Sequence, residues 1–493
     1  MALIPEVAKD YGLLKNYING EWVNSNSDKV ENVVNPATGA TIAKMPLSTR
    51  GEVDHAIKIA QEAWWSWRET PPITRVRMMF KIKGILEEHY EEIARITVQE
   101  NGKTIDEARG ETRRAIENVE VATGMTTLQM GYALEDGAGF GIDEEAIRQP
   151  LGVFACINPF NFPSMIPFWF WPYAVATGNT YIIKPSRQVP ITMQYIFNLI
   201  DQAGFPPGVI NLVNGSREVA DILMEHTGIK GISFVGSTPV AKHVYRKCAE
   251  NGKRVQAQGG AKNCHLVLDD ATIDGTVANM ISACFGCAGQ RCLAGSNILA
   301  TPGIYDRLRE RLLDRTSRLK VGYGLDESVN MGPVISPSAK KKIIEYIDGA
   351  LREGAKPILD GRGLTVNGYP ADSFLGPTIL EQVTPGMTIA REEVFGPVIA
   401  LLKVKDLEEG LEIINSSNFG NAATIYTQSG PAAREFKYRA QAGNIGINVG
   451  LPAPMAYFPF GGYKDSFFGD LHAQGQDALN FFTERKVVIT RWF

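Results

Sequence analysis

Cysteine is scarce in this chain, with six among 493 residues. So few thiols cannot build the disulfide scaffold of a secreted domain, and reduced thiols with a cytoplasmic location are expected. Long apolar runs are missing too: the most hydrophobic stretch, Met165 to Ala176, is cut by Pro167 and Pro172 and is too short to span a bilayer. Net charge is close to absent, at -4, so the chain lacks the cationic excess that neutralises phosphates, and nucleic acid is not an expected partner. The segment Met1 to Gly20 carries Glu6 and Asp10 and no arginine, which is unlike a secretory signal or an amphipathic transit peptide. Repeats, low-complexity tracts and the P-loop pattern are absent. One Cys-x-x-Cys, Cys284 to Cys287, falls in a stretch read as helix from Val277 to Cys287 with no second ligand pair nearby. A zinc site needs four ligands, or three and water, so no metal is expected.

What remains is an ordinary apolar and charged composition, enough for a large core divided into two or three domains. Short apolar strands alternate with amphipathic helices most clearly between Leu151 and Ala257. Strands are expected at Leu151 to Ile157, Asn179 to Lys184, Val209 to Val213, Gly231 to Val235 and Arg254 to Ala257. Helices are expected at Val189 to Ala203, Arg217 to His226 and Thr238 to Asn251. Such alternation implies a doubly wound parallel sheet. A second α/β series begins at His265, with strands at Asn297 to Ala300, Val398 to Val404, Ala423 to Tyr426 and Asn444 to Asn448. A late strand-like run, Arg485 to Trp492, stands apart from both cores, and an oligomer contact is expected there.

Within this frame the segment Phe285-Gly286-Cys287-Ala288-Gly289-Gln290-Arg291-Cys292-Leu293-Ala294-Gly295-Ser296 marks a nucleophile. Gly289 and Gly295 allow sharp bends, and Arg291 places a permanent cation next to Cys292, which favours the thiolate. The competing reading of Cys292 is a buried structural thiol. The turn Phe234-Val235-Gly236-Ser237-Thr238-Pro239 ends a strand and opens a helix, so its amides can face a phosphate, although the Gly-x-Gly-x-x-Gly fingerprint is absent there.

Taken together, Asn158-Pro159-Phe160-Asn161-Phe162-Pro163, Ile183-Lys184-Pro185-Ser186, Phe234-Val235-Gly236-Ser237-Thr238, Gly289-Gln290-Arg291-Cys292, Glu393-Val394-Phe395-Gly396-Pro397 and Pro459-Phe460-Gly461-Gly462-Tyr463-Lys464 stand in the order seen in aldehyde dehydrogenases. The resemblance extends from Asn16-Tyr17-Ile18-Asn19-Gly20-Glu21-Trp22 and Asn35-Pro36-Ala37-Thr38-Gly39 to the terminal strand. It implies an α/β fold with a Rossmann-type NAD(P)-binding domain (1–125 and 148–258), an α/β catalytic domain (259–455) and small β oligomerisation strands (126–147 and 473–493). It further implies that Cys292 is the nucleophile and Asn161 the oxyanion donor, and that Phe160, Lys184, Ser186, Arg187, Gly236, Ser237, Glu393 and Phe395 bind the dinucleotide. Taken singly, Lys184 also reads as a strand-end surface lysine, Glu393 as a solvated loop acid and Asn161 as a turn residue.

Departures from the family pattern are informative. Hydrolytic members carry a glutamate in Glu-Leu-Gly-Gly-Lys that activates the water which cleaves the thioester. Here the aligned segment is Gln256-Ala257-Gln258-Gly259-Gly260-Ala261-Lys262-Asn263, and an amide at Gln258 is no general base near neutral pH. This, with Tyr463-Lys464-Asp465-Ser466-Phe467-Phe468-Gly469-Asp470-Leu471-His472, resembles the CoA-acylating methylmalonate-semialdehyde dehydrogenases. That subgroup implies coenzyme A as the acyl acceptor, malonate or methylmalonate semialdehyde as substrate, loss of CO2, and a homodimer or homotetramer. Such a substrate needs fixed cations for its carboxylate, which suits Arg291 and Arg114; for Arg114 a solvated helix face between Asp106 and Val121 is the alternative. Arg187 replaces the glutamate that NAD-preferring members place three residues after the lysine, so NAD is expected with NADP in contention. Two other activities remain open from sequence: hydrolytic release of a free acid by a different base, and a cysteine acyltransferase without redox chemistry.

Overall fold

The computed structural model describes residues 3–370 and 372–493; residues 1, 2 and 371, which fall within the expected domain ranges and the amino-terminal segment, lie outside the described residues. At the centre of the first sheet five strands run parallel, in the order Ile210–Leu212, Thr180–Lys184, Val153–Ile157, Ile229–Val235, Arg254–Gln258. Every residue of Val153–Ile157 and Thr180–Lys184 is buried. Helices cover both faces of such strands, which is why they read as unbroken apolar runs rather than alternating ones. Antiparallel strands close the edges: Asn16–Ile18 with Glu21–Val23 on one side and Phe467–Gly469 on the other.

The second sheet has seven strands, ordered Lys356–Leu359, Thr378–Glu381, Val398–Lys403, Gly295–Ala300, Asn263–Val267, Ala422–Tyr426, Asn444–Ile447. All pairs are parallel except the edge strand Lys356–Leu359. Strand Arg254–Gln258 of the first sheet leads into Asn263–Val267 of the second through Gly259, Gly260, Ala261 and Lys262, so this short connection joins the two sheets. Both alternating series are therefore present, and their apolar cores are distinct: Phe154, Trp171 and Tyr181 pack on one face of the first sheet, Val153, Ala155 and Ile182 on the other, and Leu266, Leu299 and Tyr426 belong to the second. The interrupted run Met165 to Ala176 forms two short buried helices, Met165–Phe168 and Trp171–Ala176, and no helix among the described residues is long and apolar enough to cross a membrane.

One expectation needs correction. The helix anticipated through Cys287 is Ile273–Phe285, and it stops because Cys287 and Ala288 adopt left-handed φ values of 51° and 52°. Apolar periodicity continues past Phe285, but the Glu107 carboxylate accepts the Cys287 N–H at 2.6 Å and draws the chain off the helical path. The late strand, Thr483–Arg491, lies outside both of these sheets and pairs along its whole length with Ile142–Pro150, which also pairs with Tyr132–Leu134. It is the edge of this three-stranded sheet, and Val487 and Ile489 are exposed on it.

Candidate active site

Cys292 lies on the loop between helix Ile273–Phe285 and strand Gly295–Ala300. Gly289 permits this path: its φ is +70°, and a Cβ there would fall 2.1 Å from the Gly396 carbonyl oxygen. The loop is pinned from behind, since the side-chain amides of Asn263 and Asn421 each donate to the Cys292 carbonyl at 2.8 Å. The half-buried thiol-bearing residue borders two spaces, a cleft of about 1080 Å³ and a pocket of about 390 Å³. Asn161 reaches the same place, its Nδ2 donating to the Gln290 carbonyl at 3.1 Å, which leaves its second N–H uncommitted.

Burial pushes the Cys292 thiol up to about 12; the Glu393 carboxylate adds to this, while the Asn421 amide and the N–H groups of Cys292 and Leu293 pull partly back. Arg291 does not act on it as the sequence suggests. Its Nε donates to Cys287 Sγ at 3.3 Å and its Nη2 meets Glu107 at 3.4 Å, so the cation is spent on the preceding turn. Burial therefore favours the Cys292 thiol over its thiolate. Alkylation of Cys292 by iodoacetamide is expected to accelerate with pH well into the alkaline range, and Arg291→Gln is expected to move that profile by less than about half a pH unit. A midpoint near neutrality that rises on Arg291→Gln would contradict this placement.

The larger cleft is lined by Phe160, Asn161, Lys184, Ser186, Arg187, Gly236, Ser237, Glu393 and Phe395, so every residue expected at the dinucleotide faces one space. Its chemistry fits an anionic, ribose-bearing ligand. Ser237 is the N-cap of helix Thr238–Glu250 and makes no side-chain capping bond, leaving the helix terminus open to an anion. At Gly236 a Cβ would sit 2.4 Å from the Phe234 ring, so glycine is required for the close turn. Lys184 donates to the Pro185 carbonyl, and burial pushes its amine down to about 8. Burial pushes the Glu393 carboxyl up to about 7, against the Ala261 N–H it accepts at 2.9 Å; Gly260 makes room for it, as a Cβ there would lie 2.4 Å from Glu393 Oε2. Phe160 and Phe395 meet edge to face, 5.8 Å apart.

On the far side of Cys292 the smaller pocket has apolar walls, among them Phe162, Met165, Trp169 and Phe460, and two arginines, Arg114 and Arg291. Arg114 both lines this pocket and pairs along its own helix with Glu117 at 3.1 Å. Gln258 is buried at the end of its strand, its Nε2 donating to the Phe460 carbonyl at 3.0 Å.

Residues 22–488 match the Aldehyde dehydrogenase family. The chain belongs to the aldehyde dehydrogenase family. It is 49% identical to malonate-semialdehyde dehydrogenase 2 of Geobacillus thermodenitrificans over 97% of this chain and 99% of that one. Among solved structures it is similar to a methylmalonate-semialdehyde dehydrogenase from Oceanimonas doudoroffii, with 42% identity, 98% of each chain covered and a TM-score of 0.96. A Sinorhizobium meliloti protein crystallised with NAD is 39% identical, again over 98% of each chain, with a TM-score of 0.96.

Sequence reasoning missed the support beneath this aldehyde dehydrogenase site. Lys103 and Glu111, both wholly buried, form an ion pair at 2.5 Å. Lys103 also donates to the Asn161 carbonyl at 2.7 Å, while Glu111 accepts from the Ser164 N–H and hydroxyl and from the Met165 N–H. The pair therefore fixes the loop that presents Asn161. One signal was available: Glu111 occupies the same helical face as the buried Ala108 and Ala115, where a carboxylate needs a partner. Glu107 does double duty, closing a capping box with Thr104 and holding Cys287 and Arg291.

Proposed function

We propose that the chain catalyses the NAD-dependent, CoA-acylating oxidation of malonate semialdehyde or methylmalonate semialdehyde, yielding acetyl-CoA or propionyl-CoA and CO2. The names carried by its relatives support the substrate class, and the aliphatic and aromatic walls around two arginines suit a small aldehyde bearing a carboxylate. Arg114 and Arg291 would bind that carboxylate by exchanging Glu117 and Glu107 for it. Cys292 adds to the aldehyde carbon as its thiol proton passes to water, and the oxyanion takes hydrogen bonds from the Cys292 N–H and the free N–H of Asn161. Lys184, Ser186, Gly236, Ser237, Glu393, Phe160 and Phe395 would hold the dinucleotide, which when bound would supply the acceptor for the aldehyde's hydride. The Cys292 thioester then carries a carboxylate β to its carbonyl; the C–C bond breaks, its electron pair passing into the thioester carbonyl as CO2 leaves. The resulting enolate takes a proton from water at its α-carbon, and the CoA thiol then attacks the thioester carbonyl, losing its proton as the Cys292 sulfur departs with one.

Gln258 carries this reading. An amide bound to the Phe460 carbonyl at 3.0 Å is no general base, so water attack on the thioester goes unassisted and a thiol takes its place. With either semialdehyde, steady turnover is expected to fall about 100-fold or more when CoA is omitted, and mass spectrometry is expected to find acetyl-CoA or propionyl-CoA as the product. Equal rates without CoA, with free acid as product, would refute it.

The same reading assigns residues 1–125 and 148–258 to cofactor binding, 259–455 to catalysis and the three-stranded sheet to assembly of a cytoplasmic homodimer or homotetramer. Exposed Tyr132, Leu134, Phe140, Val487, Ile489 and Trp492, together with the edge strand Thr483–Arg491, support that last assignment.

A further inference from the structure

Arg187 faces the dinucleotide cleft three residues after Lys184, and it does not stand there alone. Its Nη1 donates to Glu31 Oε2 at 2.9 Å, across 156 positions of sequence. Glu31 belongs to strand Val30–Val34, which forms a separate hairpin with Thr41–Pro46, so a different part of the chain supplies the carboxylate that pairs with this cleft-lining cation. Lys184 feels both charges: burial is the main cause of its lowered amine, Arg187 pushes it further down and Glu31 pulls it partly up. The Arg187–Glu31 ion pair thus sets the charge beside Lys184, which lines the same cleft.

In dinucleotide sites an acidic group accepts hydrogen bonds from a free ribose 2′-hydroxyl and repels a 2′-phosphate, whereas an arginine accommodates the phosphate. The chain has arginine where the family's NAD-preferring pattern has glutamate, yet the fold brings a carboxylate against that arginine. We propose that Glu31 is the specificity-determining residue for the dinucleotide: by pairing with Arg187 beside Lys184 it occupies the cation and opposes a 2′-phosphate, so the site takes NAD in preference to NADP. The assignment rests on the larger cleft being the dinucleotide site. Because the pair is half-exposed, with 60% of the Arg187 side chain accessible, its influence is that of a screened surface ion pair and is graded rather than absolute.

The test is the ratio of kcat/KM for NADP to that for NAD, measured at fixed ionic strength on the full-length protein, Glu31→Gln, Arg187→Gln and the double variant. The wild type is expected to favour NAD. Glu31→Gln is expected to raise the ratio roughly fivefold or more, chiefly by lowering KM for NADP, and added salt is expected to shrink the gain. Arg187→Gln is expected to lower the ratio, and the double variant to lose the gain of Glu31→Gln. A ratio unchanged in Glu31→Gln, or a gain that persists in the double variant, would overturn the role of Glu31 while leaving the cleft assignment intact. A wild type that binds neither dinucleotide, followed by quenching of tryptophan fluorescence, would overturn the cleft assignment and Glu31 with it.

Discussion

Replacing Cys292 by alanine is expected to lower the rate of aldehyde-dependent NAD reduction by about 10⁴-fold or more, because no other group takes over covalent capture of the carbonyl carbon. The loop that carries the residue is held through its backbone: Asn263 and Asn421 both grip the Cys292 carbonyl, and Asn161 is tied to Gln290. Losing the sulfur therefore removes the nucleophile without releasing the loop. The dissociation constant for NAD, measured by fluorescence titration, is expected to stay within about threefold of the wild type. Retained reduction of NAD would remove Cys292 from the reaction, and a simultaneous collapse of NAD binding would mean the loop had moved. The other five cysteines are buried, and burial pushes Cys156, Cys248, Cys264, Cys284 and Cys287 up as well, so none offers an exposed substitute.

The second large effect is a gain. Gln258→Glu is expected to introduce CoA-independent turnover, with a general base contributing about 10²- to 10⁴-fold to thioester hydrolysis. Gln258 ends strand Arg254–Gln258, held between Val235 of the neighbouring strand and Phe467 of the antiparallel edge, so the backbone is fixed and only the side-chain terminus changes. The substitution has a cost written into the structure. Gln258 gives a hydrogen bond to the Phe460 carbonyl, and a carboxylate cannot donate one. In its charged form it faces an oxygen in a buried position, which raises its pKa and strands the carbonyl at a cost of about 1–3 kcal/mol. The new hydrolytic activity is therefore expected to rise with pH as the carboxyl ionises, and the melting temperature to fall over the same range. The sign follows from the folded state binding the proton more tightly than the unfolded state, so stability is greatest at low pH and declines through the interval between the two pKa values. No CoA-independent turnover at any pH would show that the missing base is not what makes the acyl group wait.

Much of the architecture was legible because parallel strands buried on both faces leave continuous apolar runs, as at Val153–Ile157 and Thr180–Lys184, and the helices between them are amphipathic. The site motifs were legible because each is local: Gly236 and Ser237 adjoin in sequence, as do Arg291 and Cys292. What escaped was everything set by distant partners. Arg291 adjoins Cys292 along the chain, yet its guanidinium turns to Glu107, 184 positions away, and to Cys287. Arg187 reads as a free cation until Glu31 arrives from a hairpin outside the sheet. The helix expected to run through Cys287 ends at Phe285 because a carboxylate from helix Ile105–Thr123 takes the Cys287 N–H. In each case short-range pattern was overridden by a charged group that needed a partner once buried or half-buried. Lys103 and Glu111 show the same rule and were detectable only as a carboxylate on an otherwise small, apolar helix face.

The account turns on a Cys292 thioester that water leaves intact and CoA releases. Rapid mixing of the NAD-loaded protein with malonate semialdehyde in the absence of CoA, followed through NADH absorbance, tests this directly. A single burst of NADH equal to the concentration of active sites, then a near-flat trace that resumes steady turnover when CoA is added, is the predicted result. Sustained NADH formation at full rate before CoA is added would contradict it.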